Sequence, residues 1–327
     1  MIYLEFLDGQ GLGNQLWNYI TLRSISNKLG FNYKVINPKN FKGKDFLDIS
    51  YSDVNIKISS NNKENYYKNI FEEKLFYDNE LKTFASDFDN KILSIKPKTI
   101  IKGLFQSEDY FFKNNINDFI KLKNSFKNKY NSKENECLIN IRGGEYKRFN
   151  NLILPKSYWI NAINNMKKIN NKLNFKIITD DYDYASNLLP EIQILKGNIS
   201  DDFLRIYYAN YLIVSNSSFA YFPAELGFKP LKIIAPANWA RFGNPYNKWI
   251  SPANHYKNWS YQNIKGEIIT KKLIKESINK TRSIFSSYNV TTTKESLSQN
   301  KPYQILPNKL RKILKKFLSK IFPLHIG

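Results

Sequence analysis

The sequence predicts an α/β protein with two domains, each built around a parallel sheet. From residue 137 to residue 235, strand-like and helix-like segments alternate regularly, which is typical of βαβ units in a doubly wound sheet. A strand, a glycine-rich turn and a helix also open the chain at residues 2–29. With 327 residues, the chain is long enough for two cores of medium size.

The first domain is predicted to span residues 1–132. Its strand at 2–7 precedes a helix whose apolar residues recur at helical spacing as far as Leu29, and Gly30 ends that helix. A second strand is predicted at 99–104 and a further helix at 108–129. The highly charged segment 128–135 is the predicted boundary between the domains.

The second domain is predicted to span residues 133–280, followed by a linker rich in Ser, Thr, Asn and Lys at 281–302. In open parallel sheets, ligands bind at the carboxyl ends of the strands. The strand that ends at 235 is predicted to be the last of this sheet. Its predicted strands are 137–141, 175–179, 192–195, 211–215 and 232–235, and its predicted helices are 158–168, 183–189, 201–209 and 221–226.

Composition and charge narrow the function. The net charge of +22 draws the chain towards nucleic acid, anionic lipid or phosphate-bearing ligands. A genome-wide bias towards Lys, Asn and Ile is the alternative explanation of this charge. One cysteine excludes an intramolecular disulfide, fits a reducing compartment and, with two histidines, argues against a Cys/His zinc site. The chain has no signal-peptide pattern and no run of about 18 apolar residues, so a cytoplasmic protein is expected.

The carboxyl-terminal segment 303–327 is predicted to contain a basic amphipathic helix. Residues 308–322 carry lysines and an arginine without any acidic residue, and their apolar side chains fall on one helical face. This pattern is typical of a helix at the surface of an anionic membrane. A helix packed on its own protein is the alternative.

The first motif is the glycine turn at residues 9–15, which follows the first predicted strand. Glycines allow backbone N–H groups to approach a phosphate, and the start of the following helix favours an anion. Asn14 stands where the dinucleotide-binding fingerprint has its third glycine, so this motif is not that fingerprint. A purely structural turn is the alternative.

The second motif is Arg142 with Gly143 and Gly144, at the end of another predicted strand. A guanidinium offers a fixed fork to a diphosphate, and without a metal ion it is the natural group to stabilise a departing phosphate. A surface arginine before a turn is the alternative.

Two more motifs follow predicted strands. Asp180 and Asp181 are suited to bind a metal, to cap a helix or to accept hydrogen bonds from a guanine edge. Ser217 and Ser218 lie at a strand-to-helix junction, where they serve either a phosphate or an ordinary helix cap.

Taken in order, the motifs at 11–15, 105–111, 138–146, 179–181 and 216–219 resemble those of the α-1,2-fucosyltransferase family. The resemblance covers roughly residues 1–260. It implies two facing Rossmann-like domains of the GT-B type, an inverting transfer from GDP-fucose, and no metal or other cofactor. An acceptor hydroxyl on a surface glycan of the capsule or lipopolysaccharide type is the further expectation, because membrane attachment through the basic tail would suit an enzyme that builds such a glycan.

The resemblance also implies roles for single residues. Arg142 holds the diphosphate, Ser217 and Ser218 support the β-phosphate, and Asp180 reads the guanine edge. The full implied donor-binding set is Gly11, Gly13, Asn14, Gln15, Asn140, Arg142, Asp180, Asn216, Ser217, Ser218 and Phe219.

The sequence departs from the family within the donor motif. Asn140 replaces a histidine, Gly143 a common second arginine and Glu145 an aspartate, whereas Lys147 or Arg148 can restore the missing charge. A related donor such as a GDP-heptose, or an inactive nucleotide- or glycan-binding homologue, is therefore an alternative.

Glu145 is the predicted general base, with a structural contact inside its own loop as the alternative. His255 is predicted to lie at the surface. Nucleic-acid binding is suggested by charge alone, and no recognition motif supports it. The expected location is the cytoplasm, peripheral to the inner face of a bacterial inner membrane.

Overall fold

The computed structural model describes residues 1–54, 66–78, 83–127, 129–148, 152–239, 250–286 and 290–291. The predicted α/β class with two parallel sheets is confirmed within these residues. Two small antiparallel sheets accompany them.

The first parallel sheet has the strand order β2-β1-β7-β4, and every pair in it is parallel. The strands β3 and β8 form one small sheet, and β15, β5 and β6 form the other. The elements of this part of the chain are β1 (Ile2–Glu5), α1 (Leu12–Leu29), β2 (Tyr33–Ile36), β3 (Leu47–Asp48), β4 (Asn69–Glu72), β5 (Leu75–Asp78), β6 (Thr83–Ser86), β7 (Thr99–Lys102) and β8 (Lys121–Leu122).

The second parallel sheet has the order β10-β9-β11-β12-β13, and β14 adds an antiparallel strand at its edge. Helices connect β9, β10, β11 and β12, as the alternating pattern predicted. The elements are β9 (Glu136–Ile141), α2 (Lys156–Ile169), β10 (Asn174–Thr179), α3 (Tyr182–Leu188), α4 (Ile199–Tyr207), β11 (Tyr211–Val214), α5 (Tyr221–Leu226), β12 (Lys232–Pro236), β13 (Ser260–Gln262), β14 (Ile268–Ile269), α6 (Lys271–Ser286) and β15 (Val290–Thr291).

One hydrophobic core extends from the first sheet to the second, because α1 is buried on most of its surface. Trp17 of α1 is fully buried, and its ring lies 4.4 Å from that of Tyr221 and 5.2 Å from that of Phe222, both on α5. Burial of a side chain this large stabilises the fold by about 3 kcal/mol. The carboxyl ends of β1 and β11 are therefore held close together.

Three predictions of local structure are wrong. The segment 108–129 forms short 3-10 helices and the strand β8, since Ser107 and Asn115 cap successive turns through their side chains. Residues 192–195 contribute only an isolated bridge, between Ile194 and Ile177. The strand β12 is not the last of its sheet, because β13 and β14 follow it.

The predicted domain limits stay predictions. The helix α6 continues through residue 281, where the linker was predicted to begin, and buried Thr281 accepts a hydrogen bond from the Ile250 amide at 3.3 Å. The strand β15 pairs with β5. The basic helix predicted at 303–327 lies outside the described residues. In the described part of the chain, no helix combines the length and apolar character needed to cross a membrane.

Candidate functional site

Predicted site residues follow three neighbouring strands of the second sheet. The strand β9 pairs with β10 on one side and with β11 on the other, and all three are parallel. Arg142 follows β9, Asp180 follows β10, and the predicted residues 216–218 follow β11. The Ser215 amide donates to the Asn140 carbonyl at 3.1 Å, which keeps the ends of β9 and β11 in register. The structure thus brings these groups to one edge of the sheet.

Arg142 lies between two carboxylates. Its Nη1 donates to Oδ2 of Asp180, and its Nη2 lies 3.3 Å from Oε1 of Glu145. Its guanidinium stacks over the Tyr146 ring at 5.2 Å. The side chain is 32% exposed, so an anion from solvent can reach it in exchange for one of its carboxylate partners. Arg142 is therefore a cation fixed at a strand end, where its guanidinium can bind an anion.

Asp180 and Asp181 fix the turn that carries Arg142. Oδ1 of Asp180 accepts from the Gly143 amide at 2.9 Å, and Oδ2 of Asp181 accepts from the Gly144 amide at 3.0 Å. In the described structure, both carboxylate oxygens of Asp180 therefore have partners within the chain. Asp180 could contact a guanine edge, as predicted, only after it releases these partners. Gly143 leaves no room for a Cβ, which would lie 2.6 Å from that of Asp181.

Lys147 forms a salt bridge of 2.5 Å with Asp181. Burial alone would raise the pKa of Asp181, but the Lys147 ammonium and the Tyr184 and Gly144 amides outweigh it and lower that pKa. Asp181 also caps α3 by accepting from the Tyr184 amide at 3.1 Å. Capping, one of the uses predicted for this pair of aspartates, is thus present at Asp181.

The turn after β11 holds buried polar groups. Asn216 donates from Nδ2 to the Leu152 carbonyl at 3.2 Å, and Ser217 Oγ accepts from the Phe219 amide at 3.4 Å. Oγ of Ser215 and Oδ1 of Asn216 are buried without a hydrogen-bond partner among the described residues. Unsatisfied buried oxygens are costly in free energy, so this turn carries an uncompensated cost in the free protein.

Phe219 and Asn140 complete the predicted set on this sheet. The Phe219 ring packs edge-on against Phe203 of α4, with the ring centroids 6.5 Å apart. Asn140 is buried near the end of β9, opposite Ile178 of β10 and Val214 of β11. Asn140 therefore supports the strand ends from inside the sheet, and Phe219 anchors the turn after β11 on α4.

The glycine turn of the first sheet contacts the serine turn of the second. A Cβ on Gly13 would lie 2.5 Å from the backbone carbon and oxygen of Ser218, so only glycine fits. Oδ1 of Asn14 accepts from Ser218 Oγ at 2.7 Å and from Gln106 Nε2 at 2.8 Å. Gln106 in turn accepts from Asn254 Nδ2 at 3.0 Å. This chain of four polar residues, the inter-sheet chain, joins the two halves.

The remaining residues of the glycine turn differ in exposure. Gly11 is exposed, caps α1 and has open space around it. Gln15 is fully buried, and its amide group donates to the Asn40 carbonyl at 2.8 Å and accepts from the Lys42 amide at 2.9 Å. Gln15 therefore holds the chain after β2, and its polar atoms are engaged there.

Sequence reasoning missed one group and misplaced another. Glu73, at the end of β4, is fully buried and accepts from the Leu104 and Phe105 amides at 2.7 and 2.8 Å. Burial raises its pKa to about 7. His255, predicted at the surface, is half-buried with Nδ1 2.9 Å from the Ser251 carbonyl, and burial lowers its pKa to about 4. The sequence did point to Gln106, because this residue lies in the motif at 105–111 that contributes to the family resemblance.

No protein-family model matches the chain, and no curated protein sequence matches it. Solved structures that match it include glycosyltransferases. The fucosyltransferase NodZ from Bradyrhizobium is 13% identical with a TM-score of 0.39, over 69% of this chain and 93% of that one.

Arabidopsis thaliana FUT1 in complex with GDP is 9% identical with a TM-score of 0.42, over 71% of this chain and 69% of that one. The E. coli heptosyltransferase WaaC with ADP is 8% identical with a TM-score of 0.41, over 86% of this chain and 98% of that one. At these values the likeness assigns neither substrate nor reaction to the chain. Its own two-sheet α/β architecture is the one that the GT-B prediction requires.

Proposed function

We propose that the chain is a glycosyltransferase that uses a nucleotide sugar, with the diphosphate bound at the strand ends of the second sheet. The observation that carries this proposal is the position of Arg142, a partly exposed guanidinium that directly follows β9, the strand paired in parallel with β11. In metal-independent transfer, a leaving diphosphate needs a fixed cation and hydrogen-bond donors around its oxygens. Arg142, the Ser217 hydroxyl and nearby amides are groups of that kind. The Ser218 hydroxyl donates to Asn14 in the free protein and would have to exchange that partner for the diphosphate.

In this proposal, the donor diphosphate displaces groups that bind one another in the free protein. The diphosphate replaces Glu145 and Asp180 at the Arg142 guanidinium, and the released Asp180 becomes available to the guanine edge. The exchange is feasible because the ion pairs of Arg142 are partly exposed, where such pairs contribute at most about 1 kcal/mol. In this arrangement, Asn140 and Asn216 lie on the side of the diphosphate that faces the sheet. The absence of a side chain at Gly11 allows the Gly11 amide to approach the diphosphate.

Glu145 receives a different role from the predicted one. In an inverting displacement, the base lies across the sugar from the leaving diphosphate. Glu145 binds, in the free protein, the guanidinium that the diphosphate would bind in the complex. This carboxylate therefore lies on the leaving-group side, and it is 69% exposed. We therefore propose that Glu145 is the counter-ion of Arg142 in the free protein, and that another group accepts the proton.

The proposed donor is GDP-fucose, and the proposed acceptor is a hydroxyl of a capsular or lipopolysaccharide-type glycan. No metal takes part in the proposed reaction. A transferase for another GDP-sugar, such as a GDP-heptose, is the second candidate, because Asn140 and Gly143 change the donor motif. Attachment to the inner face of the cytoplasmic membrane through residues 308–322 completes the proposal.

A thermal-shift panel of GDP-, UDP-, dTDP- and CMP-sugars, run with and without EDTA, tests the proposal. A ligand at 100 times its Kd stabilises the fold by about 2.7 kcal/mol, so binding is readily measured. We expect stabilisation by GDP-sugars alone. A response confined to UDP-sugars would overturn the donor class, and a response to GDP-sugars that EDTA abolishes would overturn the metal-free mechanism.

Turnover separates the enzyme from an inactive binding homologue. We expect purified protein to release GDP from GDP-fucose in the presence of a glycan acceptor. Binding of GDP-fucose without hydrolysis or transfer, across a set of acceptors, would favour the binding protein. Release of GDP from a GDP-heptose alone would favour the second candidate.

A further inference from the structure

The loops before the strands of the second sheet form a continuous edge opposite the candidate site. Asn170 donates from Nδ2 to Asn135 Oδ1 at 3.0 Å, Asn210 donates from Nδ2 to the Lys133 carbonyl at 3.3 Å, and the Leu231 amide donates to the Asn210 carbonyl at 2.7 Å. We call residues 133–135, 167–172, 210 and 228–232 the strand-start edge. Its loops form one connected surface.

This edge exposes large apolar side chains. Among the described residues, Leu231 and Phe228 are the most exposed large apolar side chains, at 73% and 64%, and Ile169 at the other end of the edge is 51% exposed. The Phe228 ring lies 5.2 Å from the Tyr208 ring, and its amide donates to the Tyr207 carbonyl at 2.9 Å. The loop is therefore held in place while its apolar groups point into solvent.

The same edge is strongly basic. Lys167, Lys168, Lys172 and Lys229 are all exposed. Three of these lysines border a shallow depression of about 730 Å³, which Glu134 and the neighbouring asparagines also line. The depression lies before β10, and Leu231 lies before β12, three strands away in the sheet order and so about 14 Å apart. Cationic and apolar groups therefore share one surface.

We propose that the strand-start edge is a docking surface for an anionic lipid bilayer. Protruding Phe and Leu side chains enter the interfacial region of a bilayer, and lysines around them bind the lipid phosphates. The basic segment 308–322 of the same chain is not a suitable occupant, because its charge has the same sign as that of the edge. The proposal does not depend on the proposed catalytic function.

Docking at this edge orients the candidate site. The six residues of β9 separate the edge from Arg142, and an extended strand of that length spans about 20 Å. The site would then lie about that far from the lipid headgroups and open away from them. This surface is distinct from the tail at 308–322 and acts together with it on the same membrane.

Co-sedimentation of the full chain with vesicles tests the proposal. The vesicles contain phosphatidylcholine either alone or with about one third phosphatidylglycerol, an anionic lipid. The test variants are Phe228→Ser/Leu231→Ser and Lys167→Glu/Lys168→Glu. The matched controls are Leu273→Ser, an exposed leucine of α6, and Lys113→Glu/Lys121→Glu, two exposed lysines near the first sheet. All are also made in a full chain with Lys315→Glu/Lys316→Glu, which weakens the tail.

We expect wild-type protein to prefer the anionic vesicles. In the weakened-tail background, each test variant should have a partition coefficient at least about fivefold lower than that of the parent protein. The control variants should stay within about twofold of the parent. Because the side chains substituted in the test and control variants are exposed, circular dichroism should show an unchanged fold. Equal partitioning onto neutral vesicles, or test variants that behave like the controls, would overturn the proposal. So would loss of binding to DNA in the test variants together with unchanged binding to vesicles.

Discussion

The glycine turn after β1 and the arginine turn after β9 look alike in sequence, since each places glycines and polar residues directly after a strand. In the structure their polar groups have different partners. Gly13 and Asn14 contact Ser218 across the boundary between the sheets, and Gln15 binds backbone groups of its own half. Arg142 binds two carboxylates within its own half and is partly exposed.

This difference separates assembly from chemistry. Hydrogen bonds among neutral, buried groups fix distances, whereas a partly exposed ion pair can exchange its partner for a ligand. The first turn therefore determines how the two halves meet, and the second supplies the charge. Similar motifs at strand ends do not have to share one role.

The largest expected effect is on the second turn. Arg142→Ala should lower GDP-fucose turnover at least about a thousandfold, because the leaving diphosphate loses its cation. The free energy of unfolding should change by at most about 1 kcal/mol, since the lost ion pairs are partly exposed. Steady-state kinetics and urea unfolding measure the two quantities.

Arg282→Ala is the matched control, because Arg282 pairs with Asp87 at 2.6 Å far along the chain from the site. It should keep turnover within about twofold. Near-normal turnover of Arg142→Ala would remove Arg142 from the proposed mechanism and with it the distinction between the two turns.

The sequence predicted the second sheet better than the first, for a physical reason. Its strands β9, β10 and β11 and the helix α5 follow from local alternation, and parallel pairing brings Arg142, Asp180 and Ser215 together without further information. The inter-sheet chain was not predictable, since Asn14 and Ser218 lie 204 positions apart. Local sequence patterns contain no information about a contact between residues so far apart in the chain.

Helix prediction failed where side chains compete with the helix. In the segment 108–129, Ser107 and Asn115 accept hydrogen bonds from backbone amides two residues on, which favours short 3-10 turns. Phe112 and Lys113 adopt positive φ values of 46° and 68°, which no continuous helix allows. The apolar spacing alone did not reveal these interruptions.

A buried carboxyl at the first sheet gives the next largest effect. Burial raises the pKa of Glu73 in the native state to about 7, whereas in the unfolded chain its pKa is near the ordinary value of 4.5. The stabilising contribution of the protonated form is therefore complete below about pH 4.5 and is lost as the pH rises through about 7, by about 3 kcal/mol. Urea unfolding at pH 5 and pH 8 measures this loss.

Glu73→Gln should remove that loss, because the amide keeps an oxygen for the Leu104 and Phe105 amides and carries no charge. It should be as stable as wild type at pH 5 and more stable at pH 8. The control Glu134→Gln, at an exposed position, should keep the wild-type pH dependence. Equal pH dependence in all three proteins would show that Glu73 is ionised across this range.

The two glycines of the first turn provide a matched pair. Gly13→Ala should lower the free energy of unfolding by about 2 kcal/mol, because its Cβ meets the Ser218 backbone. Gly11→Ala should leave stability within about 0.5 kcal/mol, since its φ of −65° suits alanine and its surroundings are open. Urea unfolding compares them, and equal losses would contradict the assembly role of Gly13.

The smallest expected effect separates two roles for Glu145. Glu145→Gln removes one of the anions that compete with a diphosphate for Arg142, so we expect the Kd for GDP to fall about two- to threefold at low salt, and less as salt screens the exposed pair. Turnover should stay within about tenfold, because a counter-ion of Arg142 takes no part in proton transfer. Calorimetric titration with GDP and steady-state kinetics measure both quantities. A hundredfold loss of turnover with unchanged GDP affinity would instead make Glu145 the base, and the second turn would then supply the proton acceptor as well as the cation.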